Sequence, residues 1–438
     1  MPYVIANYFT STDYILALPI LLLTVFAMGI LLIDLLLPEE WKKLNAVTAL
    51  FGIGFAAAAL VIRIHLPYNS LAAQGMPLDA FWHGFGGVIR MDAFAIYFCY
   101  LFLAAAAITI LMSVRYLEIE KESHGEFYAL ILLSVIGMMG MALGMDLIML
   151  FISLELMAIS TYVLVGFLRR DKRSNEASLK YLLLGAFSSG IFAYGLSLLY
   201  GLSGSTNLNI VARRLGAELQ RQPHSPVVIL ALLTTSVGLF FKIAAVPFHQ
   251  WAPDAYEGAP TSITGFMSVA GKAAAWALLL RVYLWAFPPV RSLYIPLLVF
   301  VAIATMTGGN LGALTQTNLK RLFAYSSIAH VGYMLLGLIA GDNFSPSATG
   351  IKGILFYLMV YTFMNLGAFA VLTSLRRREI IGDEIDDIAG LYFKAPAEAL
   401  LMLVFLLSLA GIPPLAGFYG KYFIFLSLVE TGHYGLAS

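Results

Sequence analysis

Apolar residues run through this chain in blocks of about twenty, separated by polar or Gly/Pro-containing connections, and nothing alternates as a barrel strand would. Twelve blocks are long enough to span a bilayer: 13–36, 46–65, 90–114, 127–144, 146–168, 176–203, 226–259, 261–287, 292–316, 318–341, 347–375 and 396–431. Backbone groups in hydrocarbon must be satisfied within their own segment, so the pattern predicts helices and an all-α polytopic membrane protein. Two blocks are too long for one straight helix. At about 1.5 Å per residue, 226–259 would reach roughly 50 Å, against a core of about 30 Å. Each contains an interruption: Pro247 followed by FHQWAPDAYEG, and Gly411-Ile412-Pro413-Pro414 followed by Gly417. Breaks at corresponding places in two halves of a chain point to a transport site. These two lie five spans apart, which fits tandem five-helix units over 127–287 and 292–438 behind a three-helix segment over 1–126.

Most connections are short and imply antiparallel neighbours. The exceptions are 66–89, rich in Gly, Pro and polar residues; 204–225, where LNIVARRLGAELQRQ reads as an amphipathic surface helix; and 376–395, whose dense mixed charge reads as a contact surface or a solvated loop. Fourteen Lys and Arg lie on the face that follows odd-numbered spans and eight on the other. Positive charge stays in the cytoplasm, so the N-terminus is expected outside.

Composition agrees with the blocks. The chain has 438 residues, 60% hydrophobic and 12% charged, where a soluble domain carries about 25% charged residues. A net charge of +1 gives no electrostatic case for a nucleic-acid partner. With Cys99 as the only cysteine there is neither an intrachain disulfide nor structural-zinc spacing. The first block is long enough to span and lacks a basic flank, so it reads as a retained helix and not a cleaved leader.

Against this background the ionisable residues inside the blocks stand out. A charge near the bilayer centre costs at least about 2.5–3.5 kcal/mol, so such groups face a protein or water-filled interior and mark ion or proton paths. Glu155 lies within LIMLFISLELMAISTYVLVGF and Lys242 within TTSVGLFFKIAAVPFHQW. If they approach, each stabilises the other's charge, and separation releases a proton; a static ion pair that only fixes packing is the other reading. Lys272 has small neighbours in VAGKAAAW and sits too deep to snorkel. Lys421 follows the second break, where it is either a mid-membrane group or an end-of-helix anchor. Lys180, near the start of the sixth block, is an auxiliary relay candidate with snorkelling as its rival. His330, beside Ser326, Ser327 and Tyr333, suits a proton relay or a plain interhelical hydrogen bond. His249, Asp254 and Glu257 fall in the first break, and Asp146 reads as a helix cap. Gly201–Gly204 follows no strand, so no phosphate loop is expected.

The stretch FFKIAAVPFHQWAPDAYEGAPTSITGFMSVAGKAAAWALLLRV resembles the signature of the subunit N family of bacterial NADH–quinone oxidoreductase, the respiratory complex I subunit called subunit 2 in organelles. NLKRLFAYSSIAHVGYMLLG and LAGIPPLAGFYGKYFIF resemble its other hallmark segments, and the likeness runs through about residues 130–435. The resemblance implies the antiporter-like fold, with inverted five-helix repeats and discontinuous seventh and twelfth helices. It also implies a proton relay in which Glu155 partners Lys242, Lys272 is central, Lys421 is the exit-side group, and Lys180 and His330 are auxiliary. No cofactor is expected in this chain; NAD, FMN, iron–sulfur clusters and quinone would belong to other subunits. The implied partners are the other membrane-arm subunits, lipid and protons, in a bacterial inner membrane. The family has fourteen helices, so the resemblance implies two more than the twelve counted here. A multi-subunit sodium/proton antiporter subunit and a structural spacer that moves nothing are the competing expectations.

Overall fold

The structure, a computed structural model, describes residues 11–71, 83–341, 349–376 and 383–437. Parts of the 66–89 and 376–395 connections therefore lie outside the described residues. The helices are α1 (Ser11–Asp34), α2 (Leu44–Leu71), α3 (Ala93–Glu120), α4 (Gly125–Leu143), α5 (Leu147–Val165), α6 (Lys172–Ser203), α7 (Leu208–Arg221), α8 (Pro226–Ile243), α9 (Trp251–Gly258), α10 (Thr261–Ala286), α11 (Arg291–Leu314), α12 (Leu319–Ala340), α13 (Thr349–Arg376), α14 (Pro396–Ala410) and α15 (Ala416–Glu430), with single helical turns between some of them. One small departure from an all-helical chain is an antiparallel hairpin, β1 (His83–Gly84) paired with β2 (Ile89–Arg90).

Among the described residues eleven helices are long and apolar enough to cross a membrane. The expected twelfth span is not a single helix. It is two helices of 15 residues, α14 and α15, which part at Gly411 with φ +84°. The seventh block likewise ends its first helix at Ile243 and resumes as the eight-residue α9. Ala244 takes a left-handed φ of 59° at that break. Proline lacks the N–H that would continue a helical ladder, which is why both interruptions fall at prolines.

Side-chain caps start several helices. Asp92, Asp146, Asp171 and Asn318 accept from backbone N–H groups in the first turns of α3, α5, α6 and α12. Asp146 is thus the helix cap expected of it, and it also accepts a hydrogen bond from Thr206. As its pattern predicted, α7 buries Leu208, Val211 and Leu215 and exposes Arg213, Arg214 and Arg221.

The centre of the molecule is α10. Of its most apolar window 94% is buried, against 28% for α1 and 28% for α11, so it is the axis around which the others gather. It packs on α3, α4, α8 and α13. Two π-helical turns, Met267–Gly271 and Val282–Ala286, interrupt it and flank the regular segment Lys272–Arg281. Such bulges are frequent at functional sites. Beside α10, α6 and α8 approach closely at Gly195, where a Cβ would stand 2.5 Å from the Thr235 nitrogen.

Candidate functional site

The first break places Lys242 in the last turn of α8, 4% exposed. Its ammonium donates to the Tyr162 hydroxyl at 3.1 Å and lies 5.4 Å from the centre of that ring. Tyr162 is on α5, seven residues beyond Glu155, which is two turns or roughly 10 Å along the axis. Glu155 accepts a 2.5 Å hydrogen bond from Ser189 on α6. Glu155 and Lys242 make no direct ion pair with each other. Each is parked instead on a neutral hydroxyl.

Lys272 begins the regular segment that follows the first π turn and is 2% exposed. It donates to Ser327 of α12 at 2.6 Å, and its ammonium lies 5.8 Å from the Tyr256 ring centre. Ser327 in turn donates to the Ala324 carbonyl at 2.6 Å. One turn further along α12, the buried His330 shares a hydrogen bond between Nδ1 and the Tyr357 hydroxyl. Tyr361 and Tyr333 pack on that imidazole at 5.2 and 5.9 Å between ring centres.

Lys421, on α15, turns back across the second break. It donates to the carbonyls of Leu409 and Ala410 at 3.2 and 2.9 Å, at the C-terminus of α14. Those carbonyls form the negative end of a helix dipole, where a cation is favoured. Its ammonium is 5.1 Å from the Tyr333 ring centre, so Tyr333 stands between His330 and Lys421. A cavity of about 660 Å³ is lined there by Ser326, His330, Tyr333, Leu409, Ala410 and Lys421.

Lys180 does not join this buried line. Its side chain is 46% exposed and pairs with Glu176 at 2.8 Å and Asp254 at 3.0 Å. Asp254 in turn meets Arg321 at 2.6 Å, and Arg321 meets Glu257 at 2.9 Å, around a polar cavity of about 280 Å³. The expected break residues Asp254 and Glu257 thus belong to an ionic network at one face. His249 is partly buried in the break, and its Nδ1 has no hydrogen-bond partner among the described residues.

Several groups escape the sequence reading. Tyr162, Ser189, Tyr357 and Tyr361 are the direct partners of the ionisable residues, and the spacing of Tyr162 two turns after Glu155 was the one available signal. Arg281, one of the eight Lys and Arg counted at span ends on the second face, is fully buried. It forks onto Asp92 at 2.6 and 2.8 Å, donates to the Ala142 carbonyl at 2.8 Å, and lies between the Phe94 and Trp285 rings. It therefore says nothing about orientation. Lys320 is also buried, with its ammonium on the Ala259 carbonyl at 3.2 Å and Asp383 at 3.9 Å. Among the described residues no group of three or more His, Cys, Asp or Glu side chains is arranged to hold a metal ion.

Comparison with known proteins gives this arrangement a context. Residues 144–438 match the family model described as NADH:quinone oxidoreductase/Mrp antiporter, TM. The chain is 66% identical over 431 residues to NADH-quinone oxidoreductase subunit N 1 of Koribacter versatilis, an alignment covering 98% of this chain and 83% of the relative. In solved structures it is similar to a chain of respiratory complex I from Thermus thermophilus, with a TM-score of 0.75 and 35% identity over 96% of this chain and 84% of that one. A chain of the Mrp complex from Dietzia is similar in fold, with a TM-score of 0.73 at 24% identity, covering 95% of this chain and 75% of that one.

Proposed function

The chain belongs to the NADH-quinone oxidoreductase subunit N family, the antiporter-like membrane subunits of respiratory complex I, and on that premise we propose that it carries protons across the membrane along its buried polar line. Approach of Glu155 and Lys242 stabilises both charges. Their separation frees the ammonium to yield its proton towards Lys272. From there Ser327, Tyr361 and His330 lead to Tyr333 and Lys421 at the second break. Buried hydroxyls of Ser188 and Thr235, which have no hydrogen-bond partner among the described residues, supply anchoring points for bridging water.

The observation that carries this reading is a series of buried titratable groups, each held on a hydroxyl. Lys242, Lys272 and His330 are all buried, each bonded to a hydroxyl, and Lys421 extends the series to the α14–α15 break. The electrons travel elsewhere: NADH, flavin, iron–sulfur and quinone chemistry belongs to other subunits, and conformational or electrostatic signals from quinone reduction drive the switch. In this reading 127–287 and 292–438 are inverted repeats, each with one broken helix, and the N-terminus lies on the periplasmic side of a bacterial inner membrane. The first break then serves one half-channel and the second the other. Lys180 joins as an auxiliary group at the mouth, through Asp254. The level of identity to subunit N favours complex I over a sodium/proton antiporter.

The test is proton uptake per electron in membrane vesicles carrying complex I with Lys242→Met. Assembled complex with reduced pumping supports the relay. Wild-type stoichiometry and turnover would leave only a structural spacer.

A further inference from the structure

One face of α6 touches one member of the separated switch, Glu155, and the hydroxyl partner of the other, Tyr162. We propose that the Tyr162 and Ser189 hydroxyls are the open-position partners of Lys242 and Glu155, and that Gly185 and Ser189 make this face of α6 a latch holding the two charges apart. This deepens the relay reading above and rests on it.

The seat for Tyr162 is specific. A Cβ at Gly185 would collide with the Tyr162 hydroxyl and stand 2.7 Å from the ring carbon that bears it. The hydroxyl therefore lies directly over bare α6 backbone, and only glycine leaves that room. One helical turn on, Ser189 donates to Glu155 at 2.5 Å. A single helix face thus seats one partner and supplies the other.

The seat is also tied to the first break. Tyr162 meets Tyr181 of α6 edge-on at 4.6 Å, and Tyr181 stacks on Trp251 at 4.5 Å. Trp251 opens α9 and donates from its indole nitrogen to the Phe241 carbonyl at 2.8 Å, one residue before Lys242. A shift of α9 against α8 is therefore felt at the ring on which Lys242 rests. Both latch groups are neutral, so they hold the ammonium and the carboxylate without supplying a competing charge. A hydrogen bond to an ionised group is strong enough to bias a two-position equilibrium by about tenfold or more. The bias remains small enough for a signal from elsewhere in the complex to reverse.

The experiment uses membranes containing the assembled complex, with quinone reduction and proton uptake normalised to complex content. Tyr162→Phe keeps the ring and removes the acceptor; turnover should fall about tenfold with the KM for quinone unchanged. Ser189→Ala should do the same, and Ser189→Thr, which restores a hydroxyl, should recover the rate. In a Glu155→Gln background, Tyr162→Phe should add no further loss, because the switch it acts through is already gone. Wild-type turnover in Tyr162→Phe and Ser189→Ala, beside an impaired Lys242→Met, overturns the latch and leaves the relay standing. Equal losses from Tyr162→Phe in both backgrounds also overturn it, since they indicate packing alone. Wild-type behaviour of Lys242→Met and Glu155→Gln removes the relay itself. If Tyr162→Phe does not assemble, the Ser189 pair decides the matter by the same criteria.

Discussion

Replacing Lys272 by Met tests the relay where α10 meets α12, because the structure predicts a small effect on stability and a large one on transport. Methionine keeps most of the length and volume of the side chain. The substitution removes a charge-assisted hydrogen bond to Ser327, worth about 1.5–3 kcal/mol, and a cation–π contact with Tyr256. It also removes the cost of burying an ammonium at a site that is 2% exposed. Ser327 keeps its acceptor, the Ala324 carbonyl, so no donor is orphaned. These contributions oppose one another, and stability should change by no more than about 1–2 kcal/mol, leaving assembly intact. Transport has no such compensation. Without Lys272 a proton must cross the α10–α12 interface with no base to receive it, at a cost of at least about 3 kcal/mol. At 1.36 kcal/mol per decade that slows transfer roughly 100-fold. Quinone reduction and proton uptake in inverted membrane vesicles, normalised to assembled complex, measure both quantities. Lys272→Arg sharpens the test: it retains a buried charge and donors for Ser327 but does not release its proton, and it should be nearly as slow. Normal turnover and proton-to-electron ratio in Lys272→Met would refute the reasoning, and an active Lys272→Arg would show that charge alone suffices.

Glu155→Gln keeps the shape and the Ser189 bond while removing the charge, so pumping and coupled turnover should fall much further than complex content, as vesicle assays would register. Arg281→Met takes from Asp92 its buried partner but leaves it Arg90 at 3.2 Å, and should cost about 1.5–3 kcal/mol, read as lost assembly or earlier thermal dissociation. Lys180→Met should lower the coupled rate only modestly, because Arg321 still holds Asp254; a loss as deep as that of Lys272→Met would place Lys180 in the main line.

The spans and both breaks were legible because their causes are local. Blocks of apolar residues and the prolines Pro247, Pro413 and Pro414 act where they stand in the chain. The buried lysines were legible because a charge in an apolar window is anomalous by itself. Their partners were not. Whether Lys242 meets Glu155 or Tyr162 depends on the rotation of α8 against α5, and serines and tyrosines on apolar helices are too common to single out. Lys180 stood near the start of its block, so its place in the sequence left relay and snorkelling both open. Helix α6 has 32 residues and extends about 48 Å, well past a core of about 30 Å, so its third turn emerges at the surface. Arg281 was misread because its partner, Asp92, lies 189 residues away in sequence.

The π turns of α10 have a consequence for the direction in which its cations point. Nine residues separate Lys272 from Arg281, close to half a revolution beyond two full ones at about 100° per residue, and they do face opposite neighbours: α12 for the first, the α3 cap and α4 for the second. The wide turn ahead of them sets the phase of that whole screw. Losing one residue from Met267–Gly271 would shorten the helix by only about 1.5 Å yet swing both heads by roughly 100°, off Ser327 and off Asp92 together. A single-residue spacer, invisible to hydropathy, thus fixes the aim of two charges at once.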